Sequence, residues 1–325
     1  MSSPRPAVMV RAAVVFVAVA AAAVAPAPAG AADSRPLVAT ASAQAVRVTY
    51  TMPDSAAVAT LFDGGGPVSE ATGDSTGRAV TFASLPYPGE TAVFFPGVTA
   101  GGTGVHPPVG YPFYARADYP TTPHAEVFDP SGTYDLRADV GRGRADGEAA
   151  LQFIGEGADS VSRSSSATRF TLDDRGNATV VAETESWGIS LGGGALTIAS
   201  VRSRSTSIYI QGSDQPVVSR ELVIDGARAF RQSVTIAPDG VHVDDKVARA
   251  PFADGSQSLN AALKQSGISV RTVSESGDPA GSTDLLEITS HHPVPLPGNP
   301  QGTLVWRFGA VTTAINLNPA GDSRH

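Results

Sequence analysis

A serine, a few histidines and a pair of carboxylates are the residues in this chain whose types and spacing could do chemistry. Gly73-Asp74-Ser75-Thr76-Gly77 fits the G-x-S-x-G pattern, in which a serine on a sharp strand-to-helix turn is exposed as a nucleophile. Here the preceding residues, Pro67 to Thr72, are too polar for the buried strand that such an elbow needs. The following residues, Arg78 to Phe82, read as a strand rather than a helix. Ser75 is the candidate catalytic residue of a secreted hydrolase, but the same composition is that of an ordinary Gly/Ser/Asp turn.

His291 and His292 are adjacent, and neighbouring side chains on a strand point to opposite faces, so the two do not readily share one ion. His242 and Asp244, at i and i+2, share a strand face. They form a metal set with His291 only if the fold gathers all three. No spacing matches an established metal motif, so no cofactor is expected. Glu183 and Glu185 also share a face, beside Trp187. That grouping suits a sugar platform, with glycosidase chemistry only if the acids line a cleft at about 5–9 Å separation; the alternative is a solvated strand face.

The densest aromatic composition lies in 86–130, where Tyr87, Phe94, Phe95, Tyr111, Phe113, Tyr114, Tyr119 and Phe128 are spaced by prolines. Proline removes backbone donors and excludes a central strand or a helix interior. The segment is expected to be irregular, its aromatics either fastening it to a sheet or offering a stacking surface. Tyr111, Phe113, Tyr114, Tyr119 and Trp187 are the candidate ligand-contacting residues.

These residues must be positioned by strands. Val46 to Tyr50 alternates, and Gly64-Gly65-Gly66-Pro67 is a loop. Phe170–Leu172 and Ala178–Glu183 flank Asp173-Asp174-Arg175-Gly176-Asn177, a hairpin turn. Leu196 to Ser207 reads as a long strand laced with Ser, Thr and Arg. Asp225-Gly226 predicts a second hairpin between Val217–Ile224 and Ala227–Ile236, and Pro238-Asp239-Gly240 a third turn. One helix is expected near 256–267, capped by Ser256 or Ser258 and ended by Gly267. Further strands follow Gly267 and cover Asp284–Thr289 and Thr303–Asn316. Without βαβ alternation a parallel doubly wound sheet is not expected. The expected fold is mainly β, an antiparallel sandwich or open half-barrel with that one helix packed on a face. The expected organisation is 1–31 as a secretory signal, 32–43 as a disordered lead, 44–130 as a β and irregular region, and 131–325 as an antiparallel β domain.

The signal is carried by Arg5 and Arg11, an apolar run from Ala12 to Ala25, and the small residues Pro26 to Ala32, with cleavage expected between Ala29 and Ala32. As a helix the apolar run spans about 21 Å, short of a hydrocarbon core of roughly 30 Å. A mature chain without a transmembrane segment, secreted or associated with the cell wall, is the expectation. The chain carries a formal net charge of −8 and no basic block, which argues against nucleic-acid partners. It has no cysteine, so stability must come from packing, without disulfides.

Gly188-Ile189-Ser190-Leu191-Gly192-Gly193, Leu196 to Val201, and Leu259-Asn260-Ala261-Ala262-Leu263 leading to Gly267-Ile268-Ser269-Val270-Arg271 lie within roughly 187–310. This stretch resembles exported actinobacterial proteins of the choice-of-anchor P type. The resemblance implies a β-rich envelope protein. It supplies no activity and no functional residues, and the C-terminal anchor of such proteins is not evident here. The resulting expectation is a non-enzymatic envelope or extracellular protein that binds a cell-wall component, a glycan or an apolar ligand. A carrier of lipid, or a hydrolase acting through Ser75, are the alternatives.

Overall fold

The computed structural model describes residues 36–51, 60–85, 113–156, 159–243, 255–274, 284–293 and 301–317. Within the compact unit Ser34–His325 they form two large antiparallel sheets and one short helix, and the sheets do not close into a barrel. The first sheet holds β1 (Leu37–Thr51), β2 (Thr60–Gly65), β3 (Val68–Asp74), β4 (Ala79–Leu85), β5 (Phe113–Tyr119), β16 (Ile268–Ser274), β17 (Asp284–Pro293) and β18 (Gln301–Leu317). Its order is β16-β17-β18-β1-β3-β4-β5, with β2 on the second half of β1. The second sheet holds β6 (His124–Phe128), β7 (Tyr134–Gly141), β8 (Arg144–Glu156), β9 (Asp159–Leu172), β10 (Ala178–Leu191), β11 (Leu196–Tyr209), β12 (Val217–Asp225), β13 (Arg228–Ala229), β14 (Gln232–Ala237) and β15 (Gly240–Val243). Its order is β15-β14-β13-β11-β10-β9-β8-β7-β6, with β12 beside β11.

Two expectations about organisation are corrected. Leu37 to Ala43, expected within a disordered lead, is the first half of β1. Its Leu37, Ala39, Ala41 and Ala43 are buried against the second sheet, because Val-Ala-Thr-Ala-Ser-Ala alternates as a half-buried strand must. The division at residue 130 does not separate two units. β18 pairs with β1 from Leu37↔Leu317 to Thr51↔Thr303, so the two ends of the described chain share the middle of one sheet.

The interior is divided by a crease. Along β1 the buried positions are odd up to Ala45, after which Val46 is buried and Val48 packs partly buried on the second core, and β18 reverses at Gly309 without a change of register, Gln44↔Ala310 being followed by Val46↔Phe308. The facing sheet reverses at Phe153, Ser162, Gly188 and Ala199 on four adjacent strands, again in register. Phe153, Gly188 and Gly309 take positive φ there. One core lies on each side. The first contains Leu85, Leu136, Phe170, Val180, Tyr209 and Val311. The second contains Val161, Leu191, Ile198, Leu286, Trp306 and Phe308. Gly309 is also where a side chain would not fit, since a Cβ would lie 2.3 Å from Ser203 Oγ. Ser203, Ser205 and Ser207 face inward rather than to solvent, and Thr313 Oγ1 lies 2.8 Å from the hydroxyls of both Ser205 and Ser207.

The hairpin at Asp173–Asn177 forms as expected. Asp173 accepts from the Arg175 and Asn177 amides, and Gly176 takes φ 80°. The turn at Pro238–Gly240 joins β14 to β15. The hairpin expected at Asp225-Gly226 does not form, because β12 and β13 both pair with β11, one after the other along the same edge. The hairpin instead turns at Phe230-Arg231, where both residues take positive φ, 47° and 69°, in the two-residue loop between β13 and β14. Such loops favour Asn-Gly, since positive φ strains a bulky side chain. The double change Phe230→Asn, Arg231→Gly is expected to stabilise the protein by about 1 kcal/mol, a rise of roughly 2–4 °C in thermal midpoint. An unchanged or lower midpoint would contradict the strain.

The helix α1 (Gly255–Gln265) begins ahead of the serines expected to cap it, so Ser258 lies inside it. Leu259 and Leu263 enter the second core beside Val241 and Ile268. Gly267, at φ 74°, ends the helix as expected. Among the described residues no helix is long and apolar enough to cross a membrane.

Candidate functional site

The outer face of the first sheet carries a groove over β1, β3, β4 and the end of β2. Two registers set its floor and continue past it onto β5, whose Tyr114 and Arg116 lie beside the lining residues. Gln44, Val68, Ser84 and Tyr114 lie in one row across four strands, and Ser42, Glu70, Phe82 and Arg116 lie in the next. All alternate with core residues on their strands, so period-two geometry turns them outward together. The groove encloses about 600 Å³.

Its chemistry is mixed. Phe82 and Tyr114 form a tilted ring pair with centroids 5.8 Å apart, and Tyr114 is half exposed. Ser84 lines the groove with 1% of its surface exposed, and its hydroxyl has no hydrogen-bond partner among the described residues. A buried hydroxyl without a partner costs about 1–3 kcal/mol, which a ligand's polar atom can recover. Gln44 lies across Gly65, where a Cβ would come within 1.9 Å of its Nε2, so the glycine leaves room for the carboxamide. Arg47 donates to both oxygens of Asp63, at 2.9 and 2.7 Å, and Thr49 adds a bond at 3.3 Å. The Arg47 hydrogen bonds outweigh desolvation and hold the Asp63 carboxyl below its ordinary value. Asp63 is therefore an ionised wall of the groove and not a proton donor.

The residues expected from sequence are not gathered here. Of the aromatics, Tyr114 lines this face and Tyr119 packs against the first core. Phe113 begins β5, opposite Leu85. Tyr111 lies outside the described residues. Trp187 is on the outer face of the other sheet, with the Arg163 guanidinium 5.1 Å from its ring centre. Glu183 and Glu185 share that face as expected, but pair with Arg204 at 3.0 Å and Arg202 at 3.9 Å. Ser75 sits in a strand-to-strand turn. Its hydroxyl is 3.3 Å from the Leu37 amide, its own amide bonds the Leu37 carbonyl, and no helix follows it as a nucleophile elbow requires. His242 Nε2 lies 2.7 Å from Asp239, and His291 Nδ1 lies 3.2 Å from Thr303 Oγ1. Asp244 lies outside the described residues. Among those described, no group of three His, Asp or Glu residues is placed to hold a metal ion.

Sequence reasoning did not single out Gln44, Arg47, Asp63, Glu70, Phe82 or Ser84. Alternation puts Phe82 and Ser84 on one face of a strand, and likewise Ser42 and Gln44. Which strands then lie side by side is a long-range matter that periodicity does not carry. Comparison with protein-family models, with curated proteins and with solved structures finds no match to this chain.

Proposed function

We propose that this chain is exported and acts in the envelope or extracellular space as a non-catalytic binding protein, holding a glycan segment in the groove of the first sheet. One observation carries the reading: an open groove lined by Phe82 and by Ser84, whose buried hydroxyl has no hydrogen-bond partner among the described residues, with the Tyr114 ring paired to Phe82 beside it. Aromatic faces take the apolar side of a sugar ring, and hydroxyl, carboxamide and guanidinium groups meet its hydroxyls. The secretory signal of the sequence and its resemblance to exported envelope proteins support the location. A carrier would need an apolar cavity beneath the helix, where Leu259 and Leu263 pack with Val241 and Ile268. A serine hydrolase would need a base on its nucleophile, and among the described residues neither Ser75 nor Ser84 has a histidine as a hydrogen-bond partner.

The test uses protein recovered from the culture medium, whose first residue is expected between Gly30 and Ala32. Retention on purified cell-wall polysaccharide is compared with that of variants. Tyr114→Ala is expected to weaken binding about tenfold, equivalent to roughly 1.4 kcal/mol, while Trp187→Ala leaves it unchanged. Equal retention of wild type and Tyr114→Ala would remove the groove from the function. A chain kept in the cytoplasm with Met1 intact would remove the location.

A further inference from the structure

A second cleft, of about 770 Å³, opens between α1, the β14–β15 turn and the strands β16 and β17. Its width is set by Asn260. The carboxamide donates to the Val241 carbonyl at 2.8 Å and accepts from the Val241 amide at 3.1 Å, so the helix is joined to β15 as another strand residue would be. Gly240 makes this approach possible, since it takes φ 126° and a Cβ there would lie 2.6 Å from Asn260 Oδ1. The cleft beside this clamp has a defined shape because the clamp is made of two backbone-like hydrogen bonds.

Charges line it unevenly. Asp239 is bonded to His242 at 2.7 Å, and this bond outweighs desolvation to hold the Asp239 carboxyl below its ordinary value. Glu287, 7% exposed, accepts from Arg271 Nε and Nη2 on one oxygen and from Arg307 Nε on the other. Both carboxylates of the cleft are thus already matched, one of them by two guanidiniums. Among the described residues Arg271 commits only Nε and Nη2, both to Glu287, and Lys264 has no ion-pair partner. The lining holds two cations, Arg271 and Lys264, and two carboxylates, Asp239 and Glu287; Arg307, bonded to Glu287 from outside the lining, is a third cation, so among the described residues one positive charge is in excess, with the hydroxyls of Ser269 and Thr289 beside it.

We propose that this cleft is a site for a small oxyanion, a carboxylate or a phosphate, held by Arg271 and Lys264. Charge-assisted hydrogen bonds of this kind are the stronger ones, and the guanidinium is oriented in advance by Glu287. The proposal is independent of the glycan groove. Calorimetric titration of the full secreted chain at low salt, with inorganic phosphate and separately with succinate, tests it. Saturable one-site binding of either probe is expected, and which one binds identifies the chemistry. Lys264→Gln, at an exposed helix position, is expected to weaken that binding at least fivefold, with Arg220→Gln on β12 and Tyr114→Ala having no effect. Absence of heat with both probes overturns the proposal. Equal weakening by Lys264→Gln and Arg220→Gln does so too, since that is general charge screening.

Discussion

Gly73→Val lowers the thermal midpoint by roughly 5–10 °C, an overpacking cost of about 2–3 kcal/mol. Gly73 lies on β3 over Phe170 of the facing sheet, and a Cβ at residue 73 would come within 1.9 Å of the ring. Phe170 is fully buried among Ala39, Ala145, Ala178 and Val180 and is one of the largest side chains of the first core. The surrounding alanines bring the two sheets close, so the ring has room only because residue 73 has no side chain. Phe170→Ala removes the filling from the other side and is expected to cost about 3–5 kcal/mol. The two sites share one volume, so their effects should not add. Gly73→Ala combined with Phe170→Leu should be less damaging than the sum of the single changes, and a double-mutant cycle by denaturant unfolding measures the difference. Additive effects would show that the ring does not occupy that space.

The second large effect concerns Glu287. Its carboxylate is nearly buried between Arg271 and Arg307, which are themselves half exposed. Glu287→Gln keeps the shape but leaves two guanidiniums facing a neutral amide. Removing one partner of a buried pair costs about 3–5 kcal/mol. Solvent screening of the exposed arginines reduces this to about 1–2 kcal/mol. Desolvation raises the Glu287 carboxyl, but the bonds from Arg271 and Arg307 outweigh it, and the net shift is downward from 4.5. A carboxylate held below its unfolded value contributes stability that is complete above about pH 4.5 and is lost as the pH falls through the depressed value. Wild type should therefore lose stability in acid more steeply than Glu287→Gln, and the two curves should converge at low pH. Parallel curves from pH 3 to 7 would show that the carboxylate is not ionised in the folded state.

The two halves of the candidate site differ in how far sequence reveals them. Tyr114 was visible as part of an aromatic segment. Phe82 and Ser84 were visible only as alternate residues of a strand, and Gln44, Asp63 and Glu70 as polar residues with no assigned neighbour. The serines of β11 show the same limit. The strand reads as laced with Ser, Thr and Arg without showing which of them is buried, and it is Ser203, Ser205 and Ser207 that turn inward while Arg202 and Arg204 face solvent. A serine is small enough to be buried where sheets approach closely. An arginine between them would lose its hydration without recovering it. The misread hairpin at Asp225-Gly226 has a similar origin, since Asp-Gly turns the chain locally but does not choose the strand that follows it.

By itself the sequence determined the antiparallel β class, the turns at Asp173–Asn177 and Pro238–Gly240, the helix ended by Gly267, and a core that holds without cysteine. Each of these rests on a few adjacent residues, through turn hydrogen bonds, periodicity or composition. The tertiary structure decided that β1 and β18 are partners, that both sheets crease at one level, and that a groove and a cleft open where they do. These depend on which faces bury each other across the length of the chain, an energy spread over residues far apart in sequence.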